Sequence, residues 1–243
     1  MTTLVKISIA IFLALFLSSC AFDVNFGDFG TGKKGNGVVV EESREITEDF
    51  TSVSASEGIE VYVTQASEFS MSVEADENVI DLIGTDIKNG KLRIHAIENI
   101  GRATKKVFVS LPNVTALRSS SGAHLTAQNT IKSNELSIES SSGSILSAEV
   151  NTNELELDAS SGANVDVSGK AKEVYVDGSS GANIRAKNLL AEECRAEASS
   201  GSNVSVNVSE SLTADASSGG NISYAGDATV KKNKSVSGSV HKY

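Results

Sequence analysis

Ser160-Ser161-Gly162-Ala163-Asn164-Val165 is one of six near-copies of a phrase that decides how this chain folds. Its core tripeptide returns as Ser120-Ser121-Gly122, Ser141-Ser142-Gly143, Ser179-Ser180-Gly181, Ser199-Ser200-Gly201 and Ser217-Ser218-Gly219. A degenerate copy, Ser235-Val236-Ser237-Gly238, follows near the C-terminus. Successive glycines are 21, 19, 19, 20, 18 and 19 residues apart. A period of this size marks a solenoid, in which each repeat is one unit stacked on its neighbours.

Aligned on the glycine, the copies share apolar columns. Seven residues before it stand Thr115, Leu136, Leu155, Val174, Cys194 and Leu212; five before it, Leu117, Ile138, Leu157, Val176, Ala196 and Ala214. Three after it stand Leu125, Leu146, Val165, Ile184, Val204 and Ile222; five after it, Ala127, Ala148, Val167, Ala186, Val206 and Tyr224. All four offsets are odd, and polar residues fill the even ones. Period two is the strand signature, with one face turned inward. Two short strands per repeat, stacked coil on coil, give a parallel β-solenoid of roughly 19-residue coils.

The positions three before, one before and one after the glycine carry only Ser, Ala or Gly, as in Ala159, Ser161 and Ala163. Turned inward, they would pinch the coil. Equivalent serines on adjacent coils would stand about 4.8 Å apart, too far for direct hydroxyl bonds at one rotamer. Each hydroxyl is therefore expected to bond backbone at the bend, since an unpaired buried hydroxyl costs on the order of 1–3 kcal/mol.

At the start of the chain, Lys6 precedes the short apolar run Ile7 to Leu17. That run is too short to span a bilayer, and residues 1–19 read as a secretory signal. It ends in Leu17-Ser18-Ser19-Cys20, which resembles a bacterial lipobox. The resemblance implies that Cys20 is lipidated and becomes the first mature residue. One acyl chain holds a protein only marginally; such lipoproteins carry three. Residues 20–37, rich in Gly and Asp with Phe22, Phe26 and Phe29, read as a flexible tether. Cys194 falls in an inward column and is expected to act as a small core hydrophobe.

Residues 38–117 are β-rich but less regular. Ile59 to Val63, Met71 to Val73, Leu92 to Ile94 and Val107 to Val109 alternate, and Asn89-Gly90 signals a tight hairpin. Asn78 to Ile83 suggests one helical turn, and Ala55-Ser56-Glu57-Gly58 an eroded repeat. This stretch is expected to form the first coils and a cap on the solenoid end, because bare strand edges invite aggregation.

Several segments carry a family resemblance: Gly37-Val38-Val39-Val40-Glu41-Glu42-Ser43-Arg44 followed by Phe50, the turn Asp76-Glu77-Asn78, the Ser-Ser-Gly-Ala/Ser repeats, and Ser217 to Asp227. They resemble the head GIN domain family, which is labelled an auto-transporter adhesin. The resemblance covers roughly residues 38–243. It implies a single right-handed parallel β-helix domain, commonly on an envelope lipoprotein of Bacteroidetes-type bacteria, with no established enzyme activity. Asp227-Ala228 stands where many members have a Gly-x-Pro turn.

The chain has 31 acidic and 21 basic residues, a net charge of −10. That sign disfavours nucleic acid and anionic surfaces. There is no Trp and few aromatics, so no strong carbohydrate platform is evident. Two polar columns stand out. Glu139, Asp158, Asp177, Glu197 and Asp215 lie four before the glycine, bounded by Arg118 and Lys234. Stacked carboxylates can recruit Ca²⁺, but no Gly-Gly-x-Gly-x-Asp pattern accompanies them, which favours a solvated face. Asn164, Asn183, Asn203 and Asn221 lie two after the glycine, where stacked amides can bond along the axis.

An enzyme of the polysaccharide-cleaving β-helix type would want a cluster such as Asp158, Asp166, Asp177 and Arg195. Repeating acids arise automatically from a repeat, whereas active sites usually break one. His95, His124 and His241 are scattered, without metal-ligand spacing. The expected protein is a lipid-anchored, adhesin-like, non-enzymatic envelope module, with no catalytic residues, no metal and no cofactor. Its partners would be the membrane, through the lipid, and a protein or glycan. It would sit in the outer membrane, at the cell surface or its periplasmic face. A periplasm-facing structural or stress component and a polysaccharide-active enzyme are the alternatives.

Overall fold

A computed structural model describes residues 32–233 and 237–243. The expectations for the signal segment, for Cys20 and for Lys234 lie outside these residues. The strands are β1 (Val39–Ser43), β2 (Ser52–Ala55), β3 (Glu60–Gln65), β4 (Ser70–Asp76), β5 (Ile83–Lys88), β6 (Lys91–Ala96), β7 (Lys105–Leu111), β8 (Ala116–Ser119) and β9 (His124–Ala127). The regular coils follow as β10 (Ile131–Ser140), β11 (Ile145–Ala159), β12 (Asn164–Gly178), β13 (Asn183–Ala198) and β14 (Asn203–Ala216). The chain closes with β15 (Asn221–Ala225), β16 (Thr229–Lys232) and β17 (Ser239–Lys242). The expected helical turn is a 3-10 turn, Ile80–Leu82. None of the described helices is long and apolar enough to cross a membrane.

From β8 onward every coil pairs with the next in parallel. The fold is the expected parallel β-solenoid. One wall runs β1, β4, β7, β3, β9, β11, β12, β13, β14, β15, β17. The other runs β5, β6, β2, β8, β10, β11, β12, β13, β14, β16. From β11 to β14 one continuous strand builds part of both walls, where two short strands were expected. It rounds the corner between them with a nearly unbroken ladder from β11 to β12 and with register shifts from β12 to β14. Gly169 sits at such a corner with φ 109°, where a Cβ would stand 2.0 Å from the Val150 carbonyl oxygen.

The four apolar columns point inward as read, except at Thr115, which is exposed and bonds the Thr51 hydroxyl at 2.9 Å. Leu136, Leu155, Val174, Leu157, Val176, Val165, Ile184 and Val206 are all buried in one continuous core. Burying each such side chain stabilises the fold by roughly 1.5–3 kcal/mol. The 20-residue step is absorbed by a register shift at Asp166/Ser168 and the 18-residue step by two shifts, at Ala186/Leu190 and Ala191/Glu193, so the columns stay aligned on either side.

The Ser-Ser-Gly phrase closes each coil through a tight turn. In one copy Ser161 has φ 50° and Gly162 φ 72°, and the Ala163 N–H donates to the Ser160 carbonyl at 3.1 Å. Two successive left-handed residues define a type I′ turn. The Gly162 N–H donates to the Ser180 carbonyl of the next coil at 3.1 Å, so the turns stack as well as the strands. This geometry corrects one expectation. The serines one before the glycine, such as Ser161 and Ser180, do not point inward but are exposed. The left-handed backbone breaks the alternation there, and only the residues three before and one after remain buried. Glu57 (φ 60°) and Gly58 (φ 67°) repeat the turn, which makes Ser56-Glu57-Gly58 the eroded copy. The seventh copy is displaced by one residue: Asn221 pairs with Ser239, so Gly238 follows Gly220 rather than Gly219.

The expected cap exists, but its coils are not stacked in chain order. The chain completes β2 and β3, then leaves as antiparallel β4 and β5. It re-enters through the hairpin at Asn89 (φ 54°) and Gly90 (φ 72°) to lay β6 and β7 outside β2 and β3. β8 and β9 then stack on the opposite side of β2 and β3.

Residues 32–37 also differ from the flexible tether read in the sequence. The Gly35 N–H donates to the Arg102 carbonyl at 3.0 Å, and the Asn78 amide donates to the Lys34 carbonyl at 2.8 Å. Asp76, buried at 3% exposure, accepts from the Gly37 N–H at 2.5 Å and the Thr104 N–H at 2.6 Å. The Asp76-Glu77-Asn78 turn thus fixes this segment to the cap. Residues 20–31 lie outside the described residues.

Candidate functional site

The acidic column forms as read on the second wall. Glu139, Asp158, Asp177, Glu197 and Asp215 pair in register across β10 to β14. Their side chains point outward because each stands one residue past a buried column residue. Unit charges ~4.8 Å apart repel by roughly 0.9 kcal/mol in water and less with salt. The structure relieves this repulsion unevenly. Arg118 pairs with Glu139 at 2.8 Å, and that bond holds the Glu139 carboxyl below the usual carboxylate range. Arg195 does the same geometric service for Glu197, at 2.6 Å. At the far end the Asn233 amide donates to Asp215 at 3.2 Å. Asp158 and Asp177 lie between these ends without a basic partner among the described residues. Partial burial, helped by Glu156, Asp177 and Glu139, pushes the Asp158 carboxyl up to about 6. Partial burial and then Glu197 push Asp177 up as well. A shallow groove of about 390 Å³ follows this column, edged by Ser120, Ser141, Ser160 and Ser179.

A second acidic column escaped the sequence reading. Glu135, Glu154, Glu173 and Glu193 pair in register, eight residues before the glycine. They form one lip of a longer groove of about 610 Å³, with Tyr175 and Arg195 on the other lip and the Leu136-to-Cys194 column as its floor. The same alignment carried the signal one position further out. Cys194 belongs to the floor but is 5% exposed, and burial pushes its thiol up to about 12. It behaves as the expected core residue.

The asparagine column forms on the first wall. The Asn183 amide donates to Asn164 at 3.4 Å and the Asn203 amide to Asn183 at 3.2 Å. Asn221 continues the column in register. These bonds run along the axis and hold the amides in one orientation on the outer face.

The cluster considered for catalysis does not assemble. Asp158 and Asp177 share the second wall, whereas Asp166 pairs with Ser147 and Arg185 on the first. Arg195 is committed to Glu197 through both Nε and Nη2. Among the described residues no group of three or more His, Cys, Asp or Glu side chains is arranged to hold a metal ion.

The profile of the family described as "Putative auto-transporter adhesin, head GIN domain" matches residues 49–228. No curated protein matches. Among solved structures, a "putative adhesin" from Bacteroides fragilis is 18% identical and superposes with a TM-score of 0.80 over 87% of this chain and 100% of its own. A "putative adhesin" from Parabacteroides merdae is 20% identical, with a TM-score of 0.69 over 86% of this chain and 98% of its own. A "putative lipid binding protein" from Parabacteroides distasonis is 19% identical, with a TM-score of 0.72 over 86% and 98%. At these identities the structures establish shared fold. The profile match spans most of the chain, and on that ground this protein belongs to the head GIN domain family.

Proposed function

We propose that the chain is a lipid-anchored envelope protein that binds a protein or glycan partner with the outside of its solenoid and catalyses no reaction. The carrying observation is the continuity of the outward columns. From Glu139 to Asp215 and from Asn164 to Asn221 the same chemistry returns on successive coils, and among the described residues no group of three or more His, Cys, Asp or Glu side chains gathers at one point to hold a metal ion. Recognition spread over repeated rungs suits an extended partner and gives affinity by many weak contacts. The interior is filled by touching apolar columns, which favours binding outside over uptake of an acyl chain within. The adhesin description of the family supports the same reading. Cys20 supplies the anchor, and the outer membrane is the proposed site.

Two experiments test this. Cys20→Ser should move the protein from the membrane fraction to the soluble fraction; unchanged fractionation removes the lipid anchor. Trypsin applied to intact cells should degrade a surface-exposed protein. Protection until the outer membrane is broken would favour the periplasm-facing structural role and exclude adhesion. Cleavage of an envelope glycan by the purified chain, lost in Asp158→Ala or Asp177→Ala, would replace the binding reading with an enzymatic one.

A further inference from the structure

Inward positions at each end of the solenoid carry charge: on both walls at the C-terminal end, and on the first wall at the N-terminal end, where the second wall ends in Thr85 and Ile87 of β5. At the C-terminal end β16 and β17 each pair on one side only among the described residues. Val230 and Lys232 continue the inward positions of Leu212 and Ala214, and Val240 and Lys242 continue those of Ile222 and Tyr224. Lys232 therefore stands where every earlier coil has an apolar or small residue. Its ammonium crosses the open end from one wall to the other, donates to the Val240 carbonyl at 2.9 Å and lies 5.5 Å from the centre of the Tyr224 ring. The Lys242 ammonium reaches Asp227 at 3.6 Å.

The N-terminal end repeats the device with other residues. Among the described residues β1 pairs only with β4, where Val40 and Glu42 lie opposite buried Ala75 and Val73. Glu42 thus occupies an inward column. Arg44 lies beside it, with Nη1 3.3 Å from the Glu42 carboxylate and Nη2 donating to the Ile80 carbonyl at 3.1 Å. Inward-pointing charges are a known means of blunting a sheet edge, because stacking another strand would bury them. Moving such an ion out of water costs several kcal/mol unless it is fully paired.

We propose that the two ends are complementary docking surfaces for a second copy of this chain, held shut by Lys232 and Lys242 at one end and by Glu42 and Arg44 at the other. Strand polarity fixes the arrangement. β1 is antiparallel to β4 and β4 to β7, so β1 runs in the same direction as β7 and, through the parallel ladder, as β17. A copy translated along the axis would meet β17 with its own β1 as one more parallel pair. Tail-to-tail stacking would instead face lysines with lysines. The arrangement is head-to-tail and does not close on itself, so without its guards it grows.

The test uses residues 32–243, which contain the whole described core; chains of known structure are covered almost completely by a part of this size. Three forms are compared by sedimentation and electron microscopy: Lys232→Val/Lys242→Val, Glu42→Val/Arg44→Val, and all four substitutions in one chain. Wild type is expected to sediment as one chain. Each double variant should remain single, and their mixture should form two-chain particles. The fourfold variant should grow into rods that keep the β circular-dichroism spectrum and lengthen with concentration. Should a double variant fail to fold, Lys242→Val mixed with Glu42→Val gives the same readout with a smaller fraction of two-chain particles. The proposal is overturned if folded variants stay single in the mixture, if the lysine variant pairs with itself, if wild type already forms rods, or if the fourfold variant yields only amorphous precipitate.

Discussion

The hydroxyl oxygens of Ser119 and Ser140, equivalent residues on adjacent coils, lie 2.9 Å apart inside the solenoid. The strand spacing had argued against such a bond. It forms because the two side chains lean towards each other around Ser144, whose hydroxyl lies 3.1 Å from one and 2.8 Å from the other. Ser144 also reaches backbone, at 3.0 Å from the Ser119 carbonyl and 2.8 Å from that of Ser141, so the expected bend bonding is present as well. The next two coils place Ala159, Gly178, Ala163 and Ala182 at these positions and need no network; in the coil after them Ser202 restores one buried hydroxyl, which donates to the Gly178 carbonyl at 2.6 Å.

This triad is expected to be strongly non-additive. Ser144→Ala alone leaves two buried hydroxyls with one bond between them and should cost about 1–2 kcal/mol. Replacing Ser119, Ser140 and Ser144 together by Ala recreates the later coils and should cost less than the sum of the single changes. Denaturant melts of the single and triple variants measure it; strict additivity would refute the network.

Asp158 should make the protein more stable in mild acid than at neutral pH. Its carboxyl titrates at about 6 in the fold against 3.8 ordinarily, so the folded chain binds the extra proton between these values. Stability from this group is present below about pH 4 and is lost as pH rises through about 6. The side chain is partly solvated, so the contribution is only ~1 kcal/mol after allowing for screening. Asp158→Asn should raise the melting temperature at pH 7.5 and flatten the pH 4–6 slope. A variant that melts lower at pH 7.5 would show that the carboxylate is bound to something.

Glu139 works in the opposite sense. Its bond to Arg118 lowers its titration, so the stability it contributes is held above the ordinary carboxylate range and is lost as pH falls through its depressed value. Arg118→Ala should weaken the fold at neutral pH and have little effect in strong acid. Melts at the two pH values measure the difference.

Two glycines should respond very differently to one methyl group. Gly169→Ala places a Cβ 2.0 Å from the Val150 carbonyl oxygen and should cost on the order of 3 kcal/mol or more. Gly162→Ala meets nothing within 4 Å and carries only the left-handed backbone cost, about 1–2 kcal/mol. Comparable losses in thermal melts would contradict the corner geometry.

Asp76→Ala should release residues 32–38 from the cap, because both backbone donors of its carboxylate would be left unpaired. Limited proteolysis is expected to cut within that segment early, while the solenoid beyond β2 persists. Unchanged protease resistance would mean that the Asn78 and Arg102 contacts suffice.

The period, the inward columns, one outward acidic column, the asparagine column and the bend at each Ser-Ser-Gly were legible in the residues, because each depends on neighbours within one coil and on an alternation that repeats. Ser161 was misread since the same turn that demands glycine also interrupts the alternation. What only the tertiary structure decided is longer in range: that β6 and β7 enter outside β2 and β3, that Asp76 captures Gly37, that Asp166 faces away from Asp158, and that Lys232 and Glu42 stand in apolar columns. Their physical reason is common. A local pattern says which way a side chain turns, but which coil lies next to it, and whether any coil follows, is settled by how separate stretches of chain stack.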